Sequence, residues 1–268
     1  ASSDRIMARV AIADRNPAAQ YDPIAQLYDG YPGNYLEDVV FFAEEARAAG
    51  SPVLELGVGT GRLALCLASI GLDVVGLDCS APMLRVLARK RAAHPELPGR
   101  VWAVAADMRR FSLRRRFPLA IAPFRAFLYL LTREDQRRAL GAIRRHLSPD
   151  GRLILAFFVP PRQLLALGRT EEMEAVRFAD GHGDEVVARD WAEFDVRRRR
   201  VISHLTYVWP ATGRRLEHTM EMRYLFPQET RELLEGCGYR VVAAYGGFAR
   251  EPLQEGSREQ IWVAEPAR

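Results

Sequence analysis

The chain has 268 residues, of which 49% are hydrophobic and 27% charged, a balance that excludes a disordered polymer and supplies enough apolar material for a large core. The 38 basic residues are all arginine except Lys90, yet the net charge is only +4, a weak field over this length. No stretch approaches the roughly 20 apolar residues of a bilayer span, so no membrane helix is expected.

Residues 1–20 are small and polar and predict a flexible N-terminus, with no basic-then-apolar signal pattern. From Tyr21 the spacing of Ile24, Leu27, Tyr28 and Tyr31 predicts a short helix ended by Pro32 and Gly33. Leu36, Val39, Phe42 and Ala46 then fit a helical face that runs to Gly50. Val53 to Leu56 reads as a short buried strand; Gly57, Gly59 and Gly61 follow, and Leu63, Ala64, Leu67 and Ala68 recur at helical spacing. Further strands are expected at 73–77, 100–105, 117–123 and 152–158, with helices at 82–94 and 133–147. Thr132 is the expected cap of the second helix, with Glu134 and Asp135 in its first turn. This alternation predicts an α/β fold whose parallel sheet is covered on both faces.

After Pro160 and Pro161 the pattern changes. Segments 185–195, 199–209 and 214–226 are rich in β-branched and aromatic residues and predict an antiparallel three-stranded insertion. In the last of them His218, Met220, Met222 and Tyr224 would share one face. A helix at 227–237 and strands at 240–245 and 260–264 complete the chain. The expected division is a flexible 1–20, a core with an N-terminal lid helix over 21–160, the insertion over 161–226, and a final helix and two strands over 227–268. Cys66, Cys79 and Cys237 are odd in number and lack ligand spacing, so reduced thiols in a cytoplasmic protein, and no metal site, are expected.

The informative stretch is Leu54-Glu55-Leu56-Gly57-Val58-Gly59-Thr60-Gly61-Arg62. A strand that ends in glycines and opens a helix lets backbone amides approach a ligand. In a dinucleotide fingerprint the third glycine would fall where Arg62 stands, and Glu55 would repel a pyrophosphate. Two further acids, Asp78 and Asp107, close the next two strands, and Asp78 leads into Ser80-Ala81-Pro82-Met83-Leu84.

Together these motifs resemble those of the class I S-adenosylmethionine-dependent methyltransferases, over about residues 20–160 and more loosely to the end. The resemblance implies a Rossmann-like, doubly wound, mostly parallel seven-stranded sheet with an antiparallel β insertion after the fifth strand. It implies S-adenosylmethionine as cofactor, whose ammonium and sulfonium suit Glu55 beside Gly57, Gly59, Gly61 and Arg62. Asp78 takes the ribose hydroxyls in such enzymes, with Cys79 and Met83 beside it. Asp107 and Met108 meet the adenine, Pro123 closes the fourth strand, and Tyr28 belongs to a lid segment that also carries Tyr21.

Acceptor residues are expected beside the fourth strand's end, where Phe124, Arg125 and Tyr129 lie. Ala122 departs from the Asn/Asp-Pro-Pro-Tyr/Phe motif of nucleic-acid amino-methyltransferases, which weighs against base methylation. Arg125 can hold a substrate carboxylate. The insertion resembles that of glycine-type and amino-sugar N-methyltransferases, where it roofs the acceptor pocket or builds a dimer contact. From it Tyr207 is a candidate pocket wall, and His204 and His218 are candidate bases if the acceptor is an oxygen. The reading is therefore methyl transfer to a small molecule by in-line displacement, with nitrogen ahead of oxygen. An RNA- or protein-directed enzyme using the Arg114 to Arg116 and Arg197 to Arg200 runs, and a non-catalytic S-adenosylmethionine-binding module, remain as alternatives. Nucleic acid is the less favoured partner, and an exposed insertion edge leaves a homodimer open.

Overall fold

A computed structural model describes residues 20–31 and 37–267. The expected flexible stretch up to residue 19, and Pro32, Gly33 and Leu36, lie outside the described residues.

Strands β1 (Val53–Leu56), β2 (Val74–Asp78), β3 (Val101–Ala105), β4 (Phe117–Ala122) and β5 (Leu147–Phe158) run parallel. With β10 (Tyr239–Tyr245) and β11 (Glu259–Pro266) they form a seven-stranded sheet in the order β10-β11-β5-β4-β1-β2-β3. Only β11 is antiparallel to its neighbours. β1 is buried along its whole length, as a central parallel strand must be. One face of the sheet packs Leu54, Leu56, Ala120 and Leu153 against α4 (Arg133–His146) and α6 (Pro227–Gly236). The other packs Val53, Leu119 and Ile154 against α1 (Glu37–Ala49) and α2 (Arg62–Ser69). Phe41 and Phe42 of α1 are at most 1% exposed, and burying each contributes about 2 to 3 kcal/mol. The helix α3 (Ala81–Ala93) starts at Ser80, whose hydroxyl accepts from the Met83 amide; Thr132 caps α4 in the same way through Asp135, as expected.

The insertion has one strand more than the sequence suggests. β6 (Met173–Ala179), β7 (Glu185–Asp195), β8 (Arg200–Trp209) and β9 (Arg214–Arg223) form an antiparallel four-stranded sheet in chain order, preceded by the short helix α5 (Arg162–Leu167). Its inner face, with Val186, Ala188, Leu205, Tyr207 and Met220, packs on Ile24 and Leu27 of the N-terminal segment. That segment is not the single helix predicted. Its amides bond three residues back, Ile24 to Tyr21, Leu27 to Ile24 and Gly30 to Leu27, giving two short 3-10 turns at Asp22–Ile24 and Tyr28–Gly30. Among the described residues no helix is long and apolar enough to cross a membrane.

Candidate functional site

A cavity of about 930 Å³, counted to its open mouth, lies at the C-terminal ends of β1 to β4, where an open α/β sheet binds its ligands. Glu55 points into it from β1 at 2% exposure, and its Oε2 atom has no hydrogen-bond partner. Burial pushes this carboxyl up to about 8; Arg62 pulls the other way, and Asp38 and Asp78 add to the rise. Beyond it the chain turns through Gly57 (φ +73) and Gly59 (φ +55), a backbone region that side chains rarely adopt. A Cβ on Gly59 would meet nothing within 4 Å, so this stretch of loop backbone is open to a ligand.

Asp78, at the end of β2, accepts from the Gly59 amide at 2.9 Å and the Ser80 amide at 2.8 Å, so its carboxylate braces the glycine loop. Burial nevertheless raises its pKa. Cys79, Met83, Met108 and Pro123 also line the cavity. Burial pushes the Cys79 thiol up to about 12, so it stays protonated.

Of three further predicted cofactor residues, Asp107 and Arg62 line the cavity with protein partners the expectation did not include, and Gly61 stands outside the lining. Gly61 takes φ +83 at the start of α2, a backbone conformation that favours glycine, and a Cβ there would also press on the Leu87 side-chain end at 2.2 Å. Asp107 lines the cavity, but its oxygens already accept from Arg109, through the backbone amide at 2.8 Å, Nη2 at 2.6 Å and Nε at 2.9 and 3.0 Å. Burial works against its charge, yet the Arg109 contacts hold it below its usual range. Arg62 lines the cavity while its guanidinium pairs both ways with the buried Asp38, at 2.8 and 2.6 Å. Neither partner, Arg109 nor Asp38, carries a sequence signal that points to the site.

The N-terminal segment closes the cavity with aromatic rings. Tyr21 stands edge-on to Tyr28 (centroids 5.5 Å apart) and to Tyr129 (5.1 Å), and the Tyr21 hydroxyl donates to that of Tyr129. Burial raises all three phenols above their ordinary range, so they are neutral at working pH. Two aspartates hold the segment down. Asp22 accepts from Ser80 Oγ at 2.6 Å, and Asp29 accepts from Thr60 Oγ1 and pairs with Lys90 Nζ, both at 2.6 Å. Both had a readable signal, since they flank the tyrosines of the lid motif seven positions apart.

After β4, Phe124 (φ +46) and Arg125 (φ +70) are two consecutive left-handed residues that are not glycine, each strained by about 1 to 3 kcal/mol. The turn places Phe124 in the main cavity and Arg125 outside it, in an adjoining cavity of about 220 Å³ that shares the Phe124 wall. The insertion residues depart furthest from the expectation. Strand alternation puts His204 on the outer face, stacked on Trp191 with centroids 3.9 Å apart. His218 is on the inner face opposite Leu205, but it is buried outside the cavity lining and burial lowers its pKa. Tyr207 is fully buried, edge-on to Phe178 at 6.4 Å, and its hydroxyl has no partner. No imidazole lines the cavity.

An unpartnered buried carboxyl, a second carboxylate at the neighbouring strand end and open loop backbone between them fit a ligand with an ammonium and vicinal hydroxyls, which S-adenosylmethionine is. Comparisons with known proteins agree. Residues 53–151 match the family model described as a methyltransferase domain. The cypemycin N-terminal methyltransferase of a Streptomyces species is 27% identical over 97% of this chain and 99% of its own length. The dTDP-3-amino-3,4,6-trideoxy-alpha-D-glucopyranose N,N-dimethyltransferase of Streptomyces venezuelae is 29% identical over 78% of this chain and 84% of its own. Among solved structures, the CcbJ methyltransferase from Streptomyces caelestis superposes with a TM-score of 0.82 at 28% identity, covering 95% of this chain and 100% of that one. The sheet order, the cavity at the strand ends and these likenesses agree: residues 53–151 carry a methyltransferase domain, and nearly the whole chain is similar to S-adenosylmethionine-dependent methyltransferases.

Proposed function

We propose that the protein methylates a nitrogen of a small-molecule acceptor. S-adenosylmethionine, when bound, supplies a sulfonium methyl that passes to the acceptor lone pair as the carbon–nitrogen bond forms and the sulfur–carbon bond breaks. Glu55 would receive the cofactor's ammonium and Asp78 its ribose hydroxyls, and the apolar Met83 and Met108 of the cavity lining would suit the adenine. The Gly57 and Gly59 backbone lies against the ligand. Asp107 acts through the Arg109 pair, which sets the wall there.

The observation that carries the choice of nitrogen is the composition of the acceptor side. Tyr21, Tyr28, Tyr129 and Phe124 line it, and no imidazole does. The phenols are neutral, so they orient an acceptor and face a cationic methyl donor without removing a proton. A neutral amine needs no base, whereas a phenol or alcohol does. Positioning and exclusion of water then account for the rate. The relatives named for peptide N-terminal and amino-sugar N,N-dimethyl transfer support the same acceptor class. The test is release of S-adenosylhomocysteine with matched panels of primary and secondary amines, phenols and alcohols. Turnover restricted to amines is expected; turnover of phenols alone would refute the choice of nitrogen.

A further inference from the structure

Among the described residues Arg125 is a half-buried cation that makes no salt bridge, although Glu259 shares its cavity. Its backbone amide donates to the Ala156 carbonyl at 3.1 Å, which fixes where the side chain begins. The guanidinium then lies 4.7 Å from the ring centre of Phe158 and 5.4 Å from that of Phe124. Among the described residues none accepts a hydrogen bond from it or pairs with it. Its nitrogens are not sealed from solvent, so the guanidinium is open to an incoming anion. Arg125 lines the smaller cavity together with Phe124, Phe248, Ala156 and Glu259.

Glu259 is the one carboxyl in that lining, and it does not pair with Arg125. Burial pushes its pKa up while Arg125 pulls it down, so its charge is disfavoured by the site and it is a weak competitor for the guanidinium. With one guanidinium, two phenyl rings and a carboxyl in its lining, the cavity suits a single negative charge and disfavours a dianion. Across the gap, Tyr31 of the lid donates to Asp190 of the insertion, and Arg125 lies close enough to favour the ionised form of that phenol. Among the described residues, Phe124 is the one that lines both cavities.

We propose that the acceptor is an amino-carboxylate, with its amine in the main cavity beside Tyr21 and Tyr129 and its carboxylate held by Arg125 in the adjoining cavity. The proposal rests on the methyl-transfer reading above and adds the substrate class. Because the molecule must reach past Phe124, its amine and carboxylate are separated by several bonds. A planar carboxylate suits the guanidinium fork, which can donate two parallel hydrogen bonds to it.

The test is calorimetric titration of the full chain, loaded with S-adenosylhomocysteine, with β-alanine, γ-aminobutyrate and para-aminomethylbenzoate, each against its primary amide, and with aminoethylphosphonate. At least one carboxylate is expected to bind about 50-fold more tightly than its amide, the range of a charge-assisted hydrogen-bonded pair. Arg125→Gln should bring that ratio to within about threefold, Arg125→Lys should keep part of it, and Glu259→Gln should tighten carboxylate binding, all with S-adenosylhomocysteine affinity unchanged. Equal binding of the amides, a ratio that survives Arg125→Gln, tighter binding of the phosphonate, or no binding by any probe would overturn the proposal. Failure of S-adenosylhomocysteine itself to bind would instead overturn the reading on which it rests.

Discussion

If Glu55 receives the cofactor's ammonium as proposed, its carboxyl makes cofactor binding a proton-linked event. In the free protein it titrates at about 8, so at pH 6 only about one molecule in a hundred carries the charge that an ammonium requires, and at pH 8 about half do. If the ionised form is the one that binds, apparent affinity for S-adenosylhomocysteine rises about 50-fold between these limits, with close to one proton released per binding event near pH 6. Titration in buffers of different ionisation enthalpy measures both quantities. Glu55→Gln removes the group: its profile should be flat, it should bind about tenfold or more weakly than wild type at pH 8, and the two proteins should converge at pH 6. The free protein should show the opposite slope in stability. Because the folded pKa lies above the usual 4.5, the contribution of Glu55 is fully present below about 4.5 and is lost as pH rises through about 8, by about 5 kcal/mol at full extent. Chemical denaturation across that window should find the slope in wild type and lose it in Glu55→Gln. A wild-type affinity that is flat from pH 6 to 8, or a variant that keeps the slope, would refute the assignment of Glu55.

Gly61→Ala should destabilise the fold by at least about 2 kcal/mol in denaturant melts, since the new Cβ meets Leu87 and the backbone stays at φ +83. His204→Ala should leave turnover within about threefold of wild type, because the ring sits on the outer face against Trp191; a large loss of kcat would return it to the site. The double change Asp22→Ala with Asp29→Ala should speed S-adenosylhomocysteine release about tenfold in stopped flow by freeing the lid from Ser80, Thr60 and Lys90.

The core was legible because its signals are local. A strand, three glycines and an amphipathic helix announce one turn of the fold, and the acids Glu55 and Asp78 stand at strand ends that the hydrophobic pattern itself defines. The insertion was legible only in part. β7 to β9 alternate over long runs, whereas β6 presents inward little more than Val176 and Phe178, too few to mark a strand. Which histidine faces the core depends on register, and one residue of slip exchanges the faces. The occupation of Asp107 by Arg109 is a matter of side-chain rotamers within two residues, invisible to spacing. The left-handed pair after β4 carries no glycine to betray it, so Arg125 was expected in the cavity it adjoins.

The segment over residues 20–31 touches both halves of the molecule at once. Asp22 and Asp29 fasten it to the glycine loop and α3, while Ile24 and Leu27 fill the inner face of the insertion and Gln20 accepts from the Glu221 amide at 2.6 Å. Lifting it far enough to bare the loop also strips the insertion of its packing. One twelve-residue segment therefore ties the cavity wall to the insertion, so a change in its contacts on one side is felt on the other.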